Sequence, residues 1–181
     1  MKNIYLISVD IVLTRKYHEK DMSEKNYFSI FNLPVSYNID ESKLTDTYFR
    51  LQRQWHPDSF SENSTEADKT TSVDLNIAYK ILMNPIDRAE HFLELQGESI
   101  IDTLPTNIAE EMFELRQKYA LLSSDIEKLQ FVDYIKRRMT EIIFSLRILE
   151  ADIKKFKDQA GLLRFLNSFL EKVESNAYSG N

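Results

Sequence analysis

Residues 41–58 read Glu41-Ser-Lys-Leu-Thr-Asp-Thr-Tyr-Phe-Arg-Leu-Gln-Arg-Gln-Trp-His-Pro-Asp58, and the spacing inside this stretch decides the fold class. Leu44, Tyr48, Leu51 and Trp55 recur at intervals of three and four, so they share one face of a helix. Lys43, Arg50 and Arg53 fall on the opposite face. Pro57 ends the helix, because a proline disfavours helical geometry at the residue before it, here His56. Residues 59–65 are polar and predict a loop. A second helix is expected over 66–83, burying Val73, Ile77 and Ile81 with Ala78 and Leu82 beside them, and able to pack back antiparallel on the first.

The same periodicity extends outward. Asn84-Pro85 reads as a cap followed by proline at the first helical position. The short helix that follows carries Ala89, Phe92 and Leu93 and stops at Gly97, a residue suited to a left-handed C-cap. Residues 98–104 read as a linker. Beyond Pro105, Ile108, Met112, Leu115, Tyr119 and Leu122 form one stripe, and Ser124-x-x-Glu127 fits a capping box. The next helix is expected to run without interruption through Leu129, Val132, Ile135, Met139, Ile142, Leu146, Leu149, Ile153 and Phe156. Its break is expected at 158–161, before a last stripe of Leu162, Leu166, Phe169 and Val173. Such stripes cannot be buried alone, so an antiparallel three-helix bundle is their natural arrangement. The expectation is an all-α chain: an N-terminal extension over 1–23, a small helical module over 24–97, the linker, and a bundle over 105–178.

Composition narrows the chemistry. Among 181 residues there is no cysteine, which removes disulfides, thiolate metal sites and cysteine nucleophiles. Three glycines, Gly97, Gly161 and Gly180, leave no phosphate-cradling loop and no nucleophile elbow. The histidines, His18, His56 and His91, show no metalloprotease spacing, and no nucleophile is paired with a base. No catalytic residue, metal ligand or cofactor is therefore expected. A net charge of -6, from 23 Lys+Arg against 29 Asp+Glu, argues against nucleic acid as a partner. No apolar run approaches membrane-spanning length, and the nearest, Ile4 to Leu13, is short and interrupted by Asp10. Met22 offers an alternative start that would make residues 1–21 an upstream extension.

His56-Pro57-Asp58 is the most informative tripeptide. A given tripeptide arises by chance in a chain of this length roughly one time in fifty, so its setting matters more than its presence. Pro57 fixes one torsion and leaves His56 and Asp58 projecting from a stiff turn, with little entropy left to lose on binding. Asp58 can accept hydrogen bonds from a partner's arginine, while Arg50 and Arg53, one helical turn apart, offer a positive stripe to an acidic surface. The plainer alternative is that Asp58 caps its own loop and the arginines are an ordinary wetted face. An amphipathic helix, this tripeptide, a loop and a second helix together resemble the J-domain, which engages DnaK-type chaperones and stimulates their ATPase.

The resemblance extends further. Asn26-Tyr-Phe-Ser-Ile-Phe-Asn-Leu-Pro34, Leu51-Gln-Arg-Gln-Trp-His-Pro-Asp58, Leu75-Asn-Ile-Ala-Tyr-Lys-Ile-Leu82 and Asn84-Pro-Ile-Asp-Arg-Ala-Glu90 are similar to the HscB family, the J-type co-chaperones of iron–sulfur protein biogenesis. It covers about Asn26 to Val173. It implies an N-terminal J-domain joined to a C-terminal three-helix bundle. It also implies two partners, an HscA-type chaperone whose ATP hydrolysis is stimulated and an IscU-type cluster scaffold delivered to it. His56, Pro57, Asp58, Arg50 and Arg53 would face the chaperone. Longer mitochondrial relatives carry an N-terminal cysteine-rich zinc module, so a chain without cysteine is expected in the bacterial cytoplasm.

Within the bundle, Glu114-Leu-Arg-Gln117 is similar to the family's scaffold-binding stretch, and Arg164-Phe165-Leu166 to its counterpart on the last helix. Spacing singles out part of the same region independently. Phe113 sits one position off the stripe of Met112, Leu115 and Tyr119, on a face shared with Ala109 and Gln117 and flanked by Glu110 and Glu114. A partly exposed aromatic ringed by polar groups suits a small binding hot spot. Phe165 either joins it or completes the core. Gln117 stands where many relatives carry a second acid, and Ala109 and Glu110 where apolar bulk is common, so a smaller patch is expected. Two rival functions remain at this point: a J-protein serving a general folding chaperone, and a helical adaptor in which the tripeptide is accidental.

Overall fold

In the first described turn, the Asn26 side chain accepts hydrogen bonds from the backbone N–H groups of Phe28 at 3.0 Å and Ser29 at 3.4 Å, starting a one-turn helix α1 (Tyr27–Ile30). This computed structural model describes residues 25–54, 66–100 and 105–178, with the side chains of 66–72, 107 and 176–178 excepted. The remaining helices are α2 (Glu41–Gln54), α3 (Glu66–Met83), α4 (Pro85–Leu95), α5 (Thr106–Ala120), α6 (Asp125–Leu149) and α7 (Ile153–Tyr178). The described residues contain no strand.

The helix boundaries follow local chemistry. Asn84 caps α4 by accepting from Ile86 N at 2.9 Å and Asp87 N at 3.3 Å, with Pro85 at the first helical position. Gly97 ends that helix at φ +76°, and Glu98 N reaches back to Leu93 O at 2.9 Å while Gly97 N reaches Glu94 O at 3.0 Å. That pair of bonds is a Schellman motif. Ser124 and Glu127 close the capping box that the sequence predicts for α6.

Three expectations need correction. Leu129, which the spacing places in the apolar stripe of the long helix, is 69% exposed. The long helix breaks at Glu150 to Asp152, and residues 158–161 lie inside α7. Asp152 opens α7, with Oδ1 accepting from Lys155 N at 3.1 Å, whereas Gly161 is buried in the helix interior. The buried stripe of α3 is Leu75, Ala78 and Leu82, and Val73 is 55% exposed. Ile77 and Ile81 are only partly buried against the same core. Both sets satisfy the helical period; the position of α1 and α2, which pack on α3, selects the first.

Two apolar clusters result. One joins Tyr27, Phe28 and Phe31 to Leu44, Leu75, Ala78 and Leu82. The larger one is built around α7 and α6, and it also takes in Tyr37, Ala89, Phe92 and Leu93 from the first module. Helix α4 stands between the two. Ala89, Phe92 and Leu93 turn to the bundle, while His91 stacks on Phe28 with ring centroids 5.6 Å apart and accepts a hydrogen bond at Nε2 from Tyr27 N at 3.1 Å. An imidazole accepting at Nε2 carries its proton on Nδ1. The first module and the bundle thus meet over a shared core that helix α4, ending before Gly97, helps to form.

Candidate functional site

Helix α2 presents the first surface. Leu44 is buried, Tyr48 and Leu51 are half-buried, and Arg50 and Arg53 are exposed on the other side, as the periodicity predicts. Asp40 fixes the start of this helix: its Oδ1 accepts from Ser42 N and Lys43 N, both at 3.1 Å. The bond from Lys43 N holds the Asp40 carboxyl below the usual carboxylate range. Tyr48 anchors the middle by stacking on Tyr79 with centroids 4.0 Å apart. Burial pushes its phenol up from the ordinary value. The helix therefore carries the two arginines on a well-seated support. His56, Pro57 and Asp58 lie outside the described residues, as does Trp55.

The second surface is the outward face of α5. Ala109, Glu110, Glu114 and Gln117 are exposed, and Phe113 is 62% exposed. The structure brings these five expected residues onto one face, as their i, i+4 spacing requires. Phe165 is placed elsewhere. It is only 7% exposed, stacked toward Phe169 at 6.3 Å and roofed by the Arg116 guanidinium 5.0 Å above its ring. The reason is the central position of α7, which packs against α4, α5 and α6 and so buries nearly every large apolar residue from Leu162 to Val173. Arg164 is likewise engaged, pairing with Glu90 of α4 at 2.8 Å, and Leu166 is fully buried. The exposed aromatic of this face is therefore Phe113 alone, on the same helix as the exposed Arg116, and Phe165 lies buried beneath the Arg116 guanidinium.

Three features escaped the sequence reading. Arg88, quoted there only within a motif, is 1% exposed and joins α3, α2 and the segment before α2. Phe49, on α2, is exposed; the off-stripe argument used for Phe113 would have found it, because it sits one position off Leu44, Tyr48 and Leu51. Phe144 and Ile148, one turn apart on α6, are exposed as well. Among the described residues no group of three His, Asp or Glu side chains is placed to hold a metal, and no helix is long and apolar enough to cross a membrane.

Comparison with known proteins agrees with this fold. The DnaJ domain family matches residues 26–91. A co-chaperone protein HscB homolog from Shewanella pealeana is 35% identical over 166 residues, spanning 82% of this chain and 94% of that protein. A second, from Haemophilus ducreyi, is 32% identical over 126 residues, spanning 65% of this chain and 72% of that protein. The chaperone HscB from Vibrio cholerae superposes with a TM-score of 0.69 at 26% identity, covering 86% of this chain and 99% of that one. The human co-chaperone protein HscB shares the fold, with a TM-score of 0.72 at 24% identity over 85% of this chain and 83% of that one. A likeness that runs through both modules and nearly the full length of such relatives makes this chain a J-type co-chaperone, a member of the HscB family.

Proposed function

We propose that the protein carries an IscU-type iron–sulfur scaffold to an HscA-type chaperone and stimulates ATP hydrolysis by that chaperone, in support of iron–sulfur protein maturation. In this scheme Arg50, Arg53 and the His56-Pro57-Asp58 turn meet the chaperone, and Ala109, Glu110, Phe113, Glu114 and Gln117 meet the scaffold. ATP turnover belongs to the chaperone. The setting we infer is the bacterial cytoplasm, in keeping with bacterial relatives over most of the chain's length.

The observation that carries the reading is the 62% exposure of Phe113 between two exposed glutamates. The apolar stripe of α5 is already satisfied by Ile108 and Leu115, so the bundle has no use for a further phenylalanine facing water. A large apolar group on a rigid helix with charged neighbours is what a protein partner can bury with high return. A bundle that only stiffened the first module would not need it.

The test is the steady-state ATPase of a purified HscA-type chaperone, measured with this protein, with an IscU-type scaffold, and with both. More-than-additive stimulation by the pair is expected, and His56→Gln should abolish it while leaving helicity unchanged. Simple additivity, or equal stimulation by the His56→Gln variant, would overturn the proposal. Equal stimulation of a general DnaK chaperone without any scaffold effect would favour the folding-chaperone alternative.

A further inference from the structure

Helix α2 carries a large apolar side chain on the side it turns to solvent. Phe49 is 52% exposed and lies one turn from Arg53 and next to Arg50, both exposed. An exposed phenylalanine gains nothing from helix propensity, and scattered surface apolar residues are common enough to need no explanation. Phe49 differs in being held. Its ring meets the edge of Tyr48 at 5.4 Å and 61°. Tyr48 is itself fixed by stacking on Tyr79 of α3, by donating to Asn76 Oδ1 at 2.8 Å, and by accepting from Gln52 Nε2 at 3.1 Å. Three rings therefore form a ladder from Tyr79, partly buried against the core of the first module, out to solvent, and Phe49 is its exposed end. Arg53 is drawn to the same place, its Nε donating to Phe49 O at 3.2 Å.

We propose that Phe49 is the apolar anchor of the chaperone contact, entering a recess on the chaperone's ATPase domain that is apolar at its centre and bordered by carboxylates. This rests on the reading of α2 as the chaperone-facing helix. The occupant follows from the chemistry of the face. Two exposed arginines on the same helix, Arg50 adjacent to Phe49 and Arg53 one turn on, favour a partner surface that carries carboxylates, and a pre-ordered aromatic loses little side-chain entropy when covered. An aromatic side chain with arginines around it is also the composition in which binding energy concentrates. The arginines steer the encounter and the ring holds it, so the two contributions should separate by their response to salt.

The experiment measures the concentration of this protein that gives half-maximal stimulation of a purified HscA-type chaperone ATPase. Phe49→Ala should raise that concentration about tenfold, a common loss for truncating a hot-spot aromatic, and Phe49→Leu should recover part of it. Between about 50 and about 300 mM salt the deficit of an Arg50→Ala/Arg53→Ala variant should change with screening, while that of Phe49→Ala persists. Circular dichroism melts of each variant exclude a folding defect as the cause, and Phe49→Leu keeps the question answerable if Phe49→Ala melts early. A Phe49→Ala value within twofold of the parent, with the arginine variant shifted, would overturn the anchor and leave the chaperone-facing reading intact. No shift in either variant, with His56→Gln still stimulating, would overturn that reading as well.

Discussion

Glu41 Oε1 lies 3.3 Å from Arg88 Nη2, tying the first residue of α2 to a guanidinium buried in α4. The same guanidinium donates through Nη1 to Leu82 O at 2.6 Å, satisfying a carbonyl at the end of α3 that the helix itself leaves unpaired. Its carbon sits 4.9 Å above the ring of Tyr37, which is fully buried in the bundle core and meets Phe156 edge-on at 5.3 Å. Burial raises the Tyr37 phenol above its ordinary value, with the nearby Arg88 charge opposing the rise. Arg147 of α6 approaches Glu41 from the bundle side at 3.9 Å, and Glu150 accepts from Ser36 Oγ at 2.9 Å. The segment 36–41 is thus a clasp that couples the helix carrying Arg50 and Arg53 to the helices carrying the bundle core.

The two members of that first contact are unequal, and stability measurements should show it. Arg88→Met keeps the stem but leaves the Leu82 carbonyl buried without its donor and removes the charge over Tyr37. A loss of roughly 2–4 kcal/mol is expected. Glu41→Gln should cost less than about 1 kcal/mol, because the Glu41 side chain is 45% exposed and water can replace it. Urea unfolding of the two variants checks this. Equal losses would mean that the ion pair, and not the Leu82 carbonyl, makes Arg88 important.

Phe113 and Phe165 should behave in opposite ways, although Phe165 lies in one stretch that resembles the family's scaffold-binding surface and Phe113 directly precedes the other. Phe113→Ala removes an exposed ring and should leave thermal stability within about 0.5 kcal/mol of the parent, while weakening scaffold binding by roughly 1–3 kcal/mol. Phe165→Ala opens a cavity beneath Arg116 and beside Phe169, and should cost about 3–4 kcal/mol of stability. Calorimetric titration with an IscU-type scaffold, alongside thermal melts, distinguishes the two. Retained binding in Phe113→Ala would remove α5 as the contact face, and an undiminished melt in Phe165→Ala would place that ring outside the core.

What the sequence made legible was local. The Ser124 capping box, the Asn84-Pro85 start, the stop at Gly97 and the outward position of Phe113 each depend on a few neighbouring residues, and all stand as the spacing predicts. What it hid depends on distant chain. Nothing near Gly161 says that it will be enclosed in α7, so a glycine that ordinarily weakens a helix by about 1 kcal/mol read as a break, while the weaker capping signal at Asp152 was the true one. The choice between Leu75 and Val73 on α3 depends on where α1 and α2 lie. Arg88 reads as a surface charge until α4 is seen between two cores. The arginines of α2 and the face of α5 were legible because exposed faces are what remains when the apolar stripe is subtracted; the support of Phe49 by Tyr48 and Tyr79 was not, since it joins residues thirty positions apart.

Three carboxylates at helix starts predict how the fold responds to acid. Asp40 is held below the usual range first by the Lys43 N–H, Glu127 by the Ser124 N–H, and Asp152 by the Lys155 side chain. A carboxyl whose pKa is lower folded than unfolded contributes stability that is full above its unfolded value and is lost as pH falls through its folded value. The window is therefore below about pH 4 for all three. Asp40→Asn, Glu127→Gln and Asp152→Asn each keep an acceptor oxygen for the cap but cannot titrate. In the triple variant the melting temperature should lie below the parent's near neutrality, fall less steeply between about pH 4 and about pH 2, and converge with the parent's in acid. Melts followed by circular dichroism across that range decide it. Parallel acid slopes in variant and parent would show that these bonds persist in the unfolded chain or that the carboxylates of the ion pairs, among them Glu90 with Arg164 and Glu98 with Lys157, control acid unfolding instead.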